Sequence, residues 1–465
     1  MYQFKGMEDT IVAIATPAGA GGIGIVRLSG RHAVAIADQM FTAKNGKTPS
    51  EFKSFTAHYG WVKRLEEDEV IDEALVTVFR APKSYTAEDV VEISCHGGHV
   101  PLKAVLSLSV DLGARIAEPG EFTKRAFLNG RIDLVEAEAV LDVITAQTDA
   151  FLRVSTHQLK GELSVELESI RERLMNVYTE IEAIVNFPED DIDAAGRRQV
   201  AENISVEHER VEKLLQSSRN GRILREGIRV VLCGKPNVGK SSLLNVLLKQ
   251  QRAIVTDIAG TTRDILEESA QIKGIPFVLV DTAGILEPRD LIEEEAIKRS
   301  HLCIESADLV LLVLDISRPL SDEDMFLLDK TKDANVLVVL NKSDLDHTMH
   351  EAELPQSLSL RRIVKVSAFE KKSIDALESA IVDAVWQEGE SGAHGMMVSN
   401  MRHVNALKSA RQSMAAAIEI VDQGIALEFA SEEIKNAVNH LDGITGRNID
   451  ADLLDRIFSQ FCIGK

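Results

Sequence analysis

Between Gly234 and Ser241 the chain reads Gly-Lys-Pro-Asn-Val-Gly-Lys-Ser, two glycines followed by a lysine and a hydroxyl. Such a run suits a polyphosphate. The glycines let successive backbone N–H groups face phosphate oxygens, Lys240 reaches the β and γ oxygens, and Ser241 offers a hydroxyl to magnesium. Asn237, Val238, Gly239 and Ser242 complete the cradle. Farther on, Asp281-Thr282-Ala283-Gly284 places a carboxylate beside the magnesium and a glycine N–H where a γ-phosphate would sit. Asn341-Lys342-Ser343-Asp344 follows. Its Asp344 can accept hydrogen bonds from N1 and the exocyclic N2 of guanine, a donor pair that adenine lacks. Ser367-Ala368-Phe369 comes last and can support the base through a backbone N–H. In this order the motifs imply binding and hydrolysis of GTP.

One position lacks its usual occupant. Where Ras-like proteins carry a glutamine that orients the attacking water, directly after Gly284, this chain has Ile285, which cannot hydrogen-bond. Three replacements are open: Arg263 beside Thr261-Thr262 as an arginine acting in cis, a bound monovalent cation, or an acid from Glu293-Glu294-Glu295. Against the last stands the plain reading of an acid run as a solvated helix face.

Apolar runs position these motifs. Ile228 to Cys233, Phe277 to Val280, Leu309 to Asp315, Val336 to Leu340 and Ile363 to Val366 alternate with helical patterns, and the first feeds the phosphate loop and a helix from Ser242 to Lys249. Runs of this kind predict a mainly parallel sheet covered on both faces. On either side of it the apolar spacing turns helical, from Glu121 to about Arg219 with an interruption at Asn186-Phe187-Pro188. It does so again from about Ser399 to Gln460, with a break expected at Asp442-Gly443 and glycine again at Gly446. The N-terminal part opens with strand-like segments at Thr10 to Ile14, Gly24 to Leu28, Ala74 to Phe79 and Val90 to Ser94, with a helix between Leu102 and Leu112.

The expected fold is therefore multidomain α/β plus all-α. An N-terminal α/β domain spans 1–119, a discontinuous helical domain 120–222 and 391–465, and an inserted P-loop, Ras-like GTPase domain 223–390, with Gly389 to Gly395 as the exit linker. A length of 465 residues suits two or three cores.

Composition narrows the partners. A formal net charge of -21 repels a phosphate backbone unless basic residues gather locally, so another subunit is expected to supply much of any nucleic-acid contact. Cys95, Cys233, Cys303 and Cys462 form no CxxC pair, which fits a reducing cytosol and a cytoplasmic location. No leader pattern opens the chain, and runs such as Leu309 to Leu314 are too short to cross a bilayer, so no membrane partner is expected.

With these residues in view, the chain resembles the MnmE (TrmE) family of tRNA-modification GTPases over essentially its whole length. Three stretches outside the nucleotide motifs carry the match: Asp9 to Gly30 (DTIVAIATPAGAGGIGIVRLSG), Gly120 to Ala146 (GEFTKRAFLNGRIDLVEAEAVLDVITA) and Asp455 to Lys465 (DRIFSQFCIGK). Gly260 to Asp264 (GTTRD) is similar to the family's first switch.

The resemblance implies a homodimer built through a folate-binding N-terminal domain. It implies a shared reaction with an FAD-dependent partner of the MnmG (GidA) type in a heterotetramer or larger complex. That reaction adds a carboxymethylaminomethyl or aminomethyl group to carbon 5 of the wobble uridine of tRNA, with 5-formyl-tetrahydrofolate or a related folate as one-carbon donor and FAD held only by the partner. It implies a potassium ion held by Asn237, Thr256, Ile258 and Thr261, which would fill the gap left by Ile285 and is preferred to Arg263. Thr256, Asp257, Ile258, Ala259, Gly260, Thr261 and Thr262 would border the nucleotide, with Thr262 joining Ser241 at magnesium. Glu293 aligns with the family's water-orienting glutamate.

Arg27, Glu92, Arg131 and Lys465 match the family's folate site, where a carboxylate suits the aminopyrimidine edge and basic groups the glutamate tail. Taken alone, Arg27 or Glu92 is more often an ordinary strand residue, and the surrounding matches are what single them out. Cys462 is a candidate nucleophile, with a packed, inert thiol as the competing reading. His96-Gly97-Gly98-His99 invites zinc, but no cysteine or carboxylate set completes it, and a tight glycine turn is preferred. The family often has an arginine after Ile285, where this chain has Leu286, followed by Glu287-Pro288-Arg289-Asp290. The competing functions are a ribosome-assembly GTPase of the Era or Der type and a nucleotide-gated scaffold. The first calls for a KH-like module or a second GTPase domain, and the second for a basic amphipathic helix.

Overall fold

The structure, a computed structural model, describes residues 9–17, 19–64, 69–186, 194–250, 267–281, 304–349, 362–386 and 396–465. The chain divides into two compact units, Met1–Leu141 with Leu159–Ser164 and Leu441–Lys465, and Asp142–Gln158 with Val165–His440.

The first unit is built on a sheet of β1 (Ile11–Ile14), β2 (Gly21–Ser29), β3 (Phe41–Ala43), β4 (Thr56–Arg64), β5 (Glu69–Phe79), β6 (Val90–Gly97) and β7 (Arg115–Ile116), in the order β3-β4-β5-β6-β2-β1-β7. Only the β1/β7 pair is parallel. Alternation along β2 and β6 sorts the side chains. Val26, Leu28, Val91 and Ile93 are buried in the core that the helices Ala33–Asp38 and His99–Asp111 cover, whereas Arg27 and Glu92 between them project from the opposite face. The register pairs Arg27 directly with Glu92. A second apolar cluster joins the helices Glu121–Leu128 and Leu134–Thr145 to Ala451–Phe458 through Ala126, Leu134, Ala137, Leu454 and Phe458, and it brings the C-terminal segment into this unit.

In the second unit, β8 (Ile228–Cys233), β9 (Glu267–Ile272), β10 (Ile275–Asp281), β11 (Leu309–Asp315), β12 (Val336–Asn341) and β13 (Arg362–Lys365) form a sheet in the order β13-β12-β11-β8-β10-β9. All its pairs are parallel except β9/β10. β11 is buried at every residue because both faces are covered. Leu311 and Val313 meet Leu243, Leu377 and Ile381 on one side, and Leu312 and Leu314 meet Leu328 and Val338 on the other. Helices Asp149–Leu159, Glu162–Asn186, Ala194–Glu226, Met401–Asp422 and Leu427–Thr445 supply the helical part. There Arg411 donates to Glu212 at 2.7 Å, across the pair formed by Ala194–Glu226 and Met401–Asp422.

One expectation is corrected. The helix Leu427–Thr445 runs through Asp442-Gly443 without a break, because Val438, Leu441 and Ile444 are buried and their packing outweighs the roughly 1 kcal/mol a helical glycine costs. The breaks lie on either side of it, at Gly424 (φ +70°), which follows Met401–Asp422, and at Gly446 (φ +85°), the second glycine read from the sequence, which ends Leu427–Thr445. The sequence pattern gives no sign of β3, β4, β7 or β9; β9 (EESAQI) is a polar edge strand with no apolar run to announce it. The Gly389 to Gly395 linker lies outside the described residues.

Candidate functional site

The phosphate loop leaves β8 at the middle of its sheet, where β10 and β11 flank it and the parallel strands present their carboxyl ends. That end of an open α/β sheet is where ligands bind. The helix Lys240–Gln250 begins within the loop and directs its N-terminal N–H groups at whatever the loop holds. Asn237 sits at the exposed tip with φ +65°, a left-handed conformation that asparagine tolerates better than most residues. Lys240 is buried, and its ammonium donates to the Gly234 and Lys235 carbonyls, each at 2.8 Å. It is thus held over the loop that would receive the β and γ phosphates.

Ser241 donates its hydroxyl to Asp281 Oδ2 at 3.0 Å. The two groups expected at magnesium therefore meet, although their positions are separated by forty residues of sequence. Hydroxyl and carboxylate oxygens are the hard donors that magnesium prefers, so this pair fits the ion.

The base-recognition elements are wired to the loop through Asn341. Its Nδ2 donates to the Val238 carbonyl at 2.8 Å, and its Oδ1 accepts the Ala368 N–H at 3.1 Å. Gly239 has to be glycine here, since a Cβ would lie 2.3 Å from Asn341 Nδ2 at a φ of +99°. Asp344 is exposed, and Ser367 donates to its Oδ1 at 2.5 Å, which orients the carboxylate. The Ser367 N–H donates to the Lys372 carbonyl. Both backbone donors expected to support a base are thus engaged within the protein, and a base would share the Ala368 N–H with Asn341. Phe369 beside them is 90% exposed.

Two contacts went unread in the sequence. Lys342, at φ +64°, reaches across the loop to Asp315 Oδ2 at 2.7 Å. Burial pushes the Asp315 carboxyl up, and bonds from Lys342 and Ser317 overcome it and hold it below the usual carboxylate range. Lys235 is latched to Ser321 Oγ at 2.8 Å and to the buried Asp324 Oδ2 at 2.6 Å. Asp315, at the carboxyl end of a buried strand, was the available signal for the first. Thr256 to Thr262, Thr282 to Ile285, Arg263, Leu286 to Asp290 and Glu293 lie outside the described residues.

In the first unit the four residues matched to a folate site are drawn toward one place. Arg27 Nε and Nη2 both lie 2.8 Å from Glu92 Oε1, and Arg27 Nη1 donates to the Gly464 carbonyl at 3.3 Å. The guanidinium carbon of Arg27 lies 5.4 Å from the centre of the Tyr85 ring and 5.7 Å from that of Phe122, and Arg131 lies 4.8 Å from the same tyrosine ring. Burial and the neighbouring Arg27 pull the Lys465 ammonium below its usual range, with Glu92 and Cys462 opposing them. Cys462 is exposed, not packed. His96 pairs with Asp72 at 2.7 Å, and among the described residues no group of three or more histidine, cysteine, aspartate or glutamate side chains is arranged for a metal. Gly97 ends β6 and Gly98 caps the helix that begins at His99. Among the described residues no helix is long and apolar enough to cross a membrane.

Two family models match the chain, the N-terminus of GTP-binding protein TrmE over residues 10–131 and the MnmE helical domain over residues 134–462. The tRNA modification GTPase MnmE of Alkaliphilus oremlandii (strain OhILAs) is 43% identical over 460 residues, covering 99% of this chain and 100% of that protein. That of Clostridioides difficile (strain 630) is 42% identical over 459 residues, with 99% and 100% covered. That of Bacillus pumilus (strain SAFR-032) is 43% identical over 458 residues, with 98% and 100% covered.

Proposed function

The chain belongs to the MnmE family of tRNA modification GTPases, and from that premise we propose that its GTP hydrolysis drives modification of carbon 5 of the wobble uridine in certain tRNAs. The tRNA half of this reading rests on the family; the GTP-hydrolysing half is carried by Asn341, which links its own base-recognition segment to the phosphate loop and to Ala368. Nucleotide occupancy and base identity are thereby sensed by one connected element.

In the hydrolytic step Lys240 and the N–H groups of the phosphate loop bind the β and γ phosphates, and Asp344 selects guanine. Ser241 and Asp281, with Thr262, would hold magnesium, and Asn237, Thr256, Ile258 and Thr261 would hold potassium, each ion supplying positive charge beside the phosphates when bound. Glu293 orients the attacking water, the task that Ile285 cannot perform. The exposed carboxamide of Asn237 at the loop tip supports the potassium reading.

Arg27, Glu92, Arg131 and Lys465 would hold a formyl-tetrahydrofolate, which would supply the one-carbon unit, and the exposed Cys462, close enough to act on the Lys465 ammonium, is a candidate nucleophile. The chain works as a homodimer in the cytoplasm, in complex with an FAD-dependent partner of the MnmG type that contributes to tRNA contact. Its domains are the N-terminal domain 1–119, the helical domain formed by 120–222 together with 391–465, and the inserted GTPase domain 223–390. The direct test is mass spectrometry of wobble nucleosides from a strain lacking this protein. Loss of the carboxymethylaminomethyl or aminomethyl group at carbon 5 is expected, and an unchanged nucleoside profile would overturn the reading.

A further inference from the structure

We propose that Tyr85 is a positioning residue for the folate site, holding the Arg131 guanidinium in place to receive the anionic, carboxylate-bearing end of the ligand. The proposal rests on the folate reading given above and extends it to a residue outside the matched set.

Tyr85 lies in the connection between β5 and β6, and three contacts fix it there. Its hydroxyl lies 2.9 Å from Oγ1 of the fully buried Thr123. The adjacent Thr86, also fully buried, lies 2.6 Å from Ser29 Oγ, and its carbonyl accepts from Asn129 Nδ2 at 2.7 Å. The ring is therefore tied both to the sheet and to the helix Glu121–Leu128, just before the turn that carries Arg131.

The two arginines depend on this ring to different degrees. Arg27 is held independently by Glu92 and by the Gly464 carbonyl. Arg131 is an exposed side chain, and its guanidinium lies closer to the Tyr85 ring than that of Arg27, 4.8 Å against 5.4 Å. A long exposed arginine samples many rotamers, and a ring face attracts the cation and narrows that choice. The same ring also eases the approach of two like charges. Arg27, Arg131 and Lys465 then set three side-chain cations beside the Glu92 carboxylate, an arrangement that fits an anionic ligand. A folate offers one through its glutamate tail, and guanidinium groups match carboxylates geometrically.

The test is calorimetry of the full-length protein with 5-formyl-tetrahydrofolate, using Tyr85→Phe, Tyr85→Leu, Arg131→Ala and the double variant Tyr85→Leu/Arg131→Ala. Tyr85→Leu is expected to weaken binding about three- to tenfold, while Tyr85→Phe, which keeps the ring face, stays within about twofold of the parent. The double variant should bind no more weakly than Arg131→Ala alone, because Tyr85 acts through that arginine. A structural role alone would not produce this rescue and non-additivity. Rates of GTP hydrolysis and thermal unfolding check the fold, and Tyr85→Met replaces Tyr85→Leu if the latter does not fold. Wild-type affinity in Tyr85→Leu, or losses that add in the double variant, would overturn the proposal. A parent protein that binds no folate would overturn the folate reading itself, an outcome seen before any variant is made.

Discussion

Asn341 donates from Nδ2 to the Val238 carbonyl at 2.8 Å while its Oδ1 accepts from Ala368, so one buried side chain clamps the phosphate loop to the base-recognition loops. Replacing it with alanine leaves a buried carbonyl and a buried N–H without partners, at about 1–3 kcal/mol each. GTP affinity is expected to fall by about tenfold or more. Asn341→Asp is the sharper variant. It keeps an acceptor for Ala368 but turns a carboxylate oxygen toward the Val238 carbonyl, and it should lose affinity at least as severely as alanine. Titration with a fluorescent guanine nucleotide measures both, and near-parental affinity in either variant would refute the clamp.

The potassium assignment turns on a residue whose backbone has to be kept while its side chain is removed. Asn237 has φ +65°, and alanine there would add strain of about 1 kcal/mol that has nothing to do with a cation. Asn237→Gly avoids the strain and removes the carboxamide. Hydrolysis by the parent should rise at least about tenfold when potassium replaces sodium, the scale of one lost charge-stabilising contact, and Asn237→Gly should abolish most of that response. Equal rates of the parent in the two salts would eliminate the cation.

What could be read before the structure was what is local. The phosphate loop, Asp281 and Asn341 to Asp344 each identify themselves within a few residues, since the backbone geometry that cradles a phosphate is encoded by adjacent glycines. The pairs that tune the site were hidden because their members lie far apart: Lys342 with Asp315, Lys235 with Asp324, and Arg131 with Tyr85. Register decides Arg27 with Glu92, and no single strand announces which residue its neighbour will place opposite. Those two residues were reached through resemblance and not through pattern. Gly443 shows the reverse failure, a strong local signal overridden by the buried face of its helix.

The network around Glu121 gives the first unit a defined response to acid. Burial pushes the Glu121 carboxyl up, but bonds from Arg115, the Glu118 N–H and Arg125 outweigh it and hold the group below its ordinary 4.5. Asp9, which is also pushed up by burial, is held below its ordinary 3.8 by the same two arginines. A carboxyl whose folded pKa is lowered contributes stability that is fully present above its unfolded value and lost as pH falls through the folded one. Glu121→Gln should therefore be destabilised by about 1–3 kcal/mol at pH 7. The gap should begin to narrow below about pH 4.5 and close only as pH falls through the lower folded value, where the native glutamate takes up its proton. Denaturant unfolding of both proteins across that range tests it, and a gap that stays constant with pH would show that the ion pairs contribute nothing.

Gly464 governs whether the C-terminal segment can seat against the sheet. Its φ is +95°, and a Cβ would lie 2.5 Å from the Ile14 carbonyl oxygen and 3.0 Å from Ala15 Cα, both backbone atoms that cannot swing aside. The carbonyl of Gly464 accepts from Arg27, so displacing it disturbs Arg27 and Lys465 together and moves Cys462, two residues earlier. Gly464→Ala combines the left-handed penalty of about 1–2 kcal/mol with this overlap. The least costly escape is release of the last few residues, since the cluster of Leu454, Phe458 and Phe461 anchors the segment independently. The variant should thus fold and hydrolyse GTP at the parental rate while losing affinity for formyl-tetrahydrofolate by about tenfold or more, together with wobble-uridine modification. Lys465→Ala alone should cost less than Gly464→Ala, because it removes one cation and leaves Arg27 seated. If the two variants bind folate equally, Gly464 acts only by presenting Lys465, and if Gly464→Ala binds as the parent does, the segment plays no part in the site.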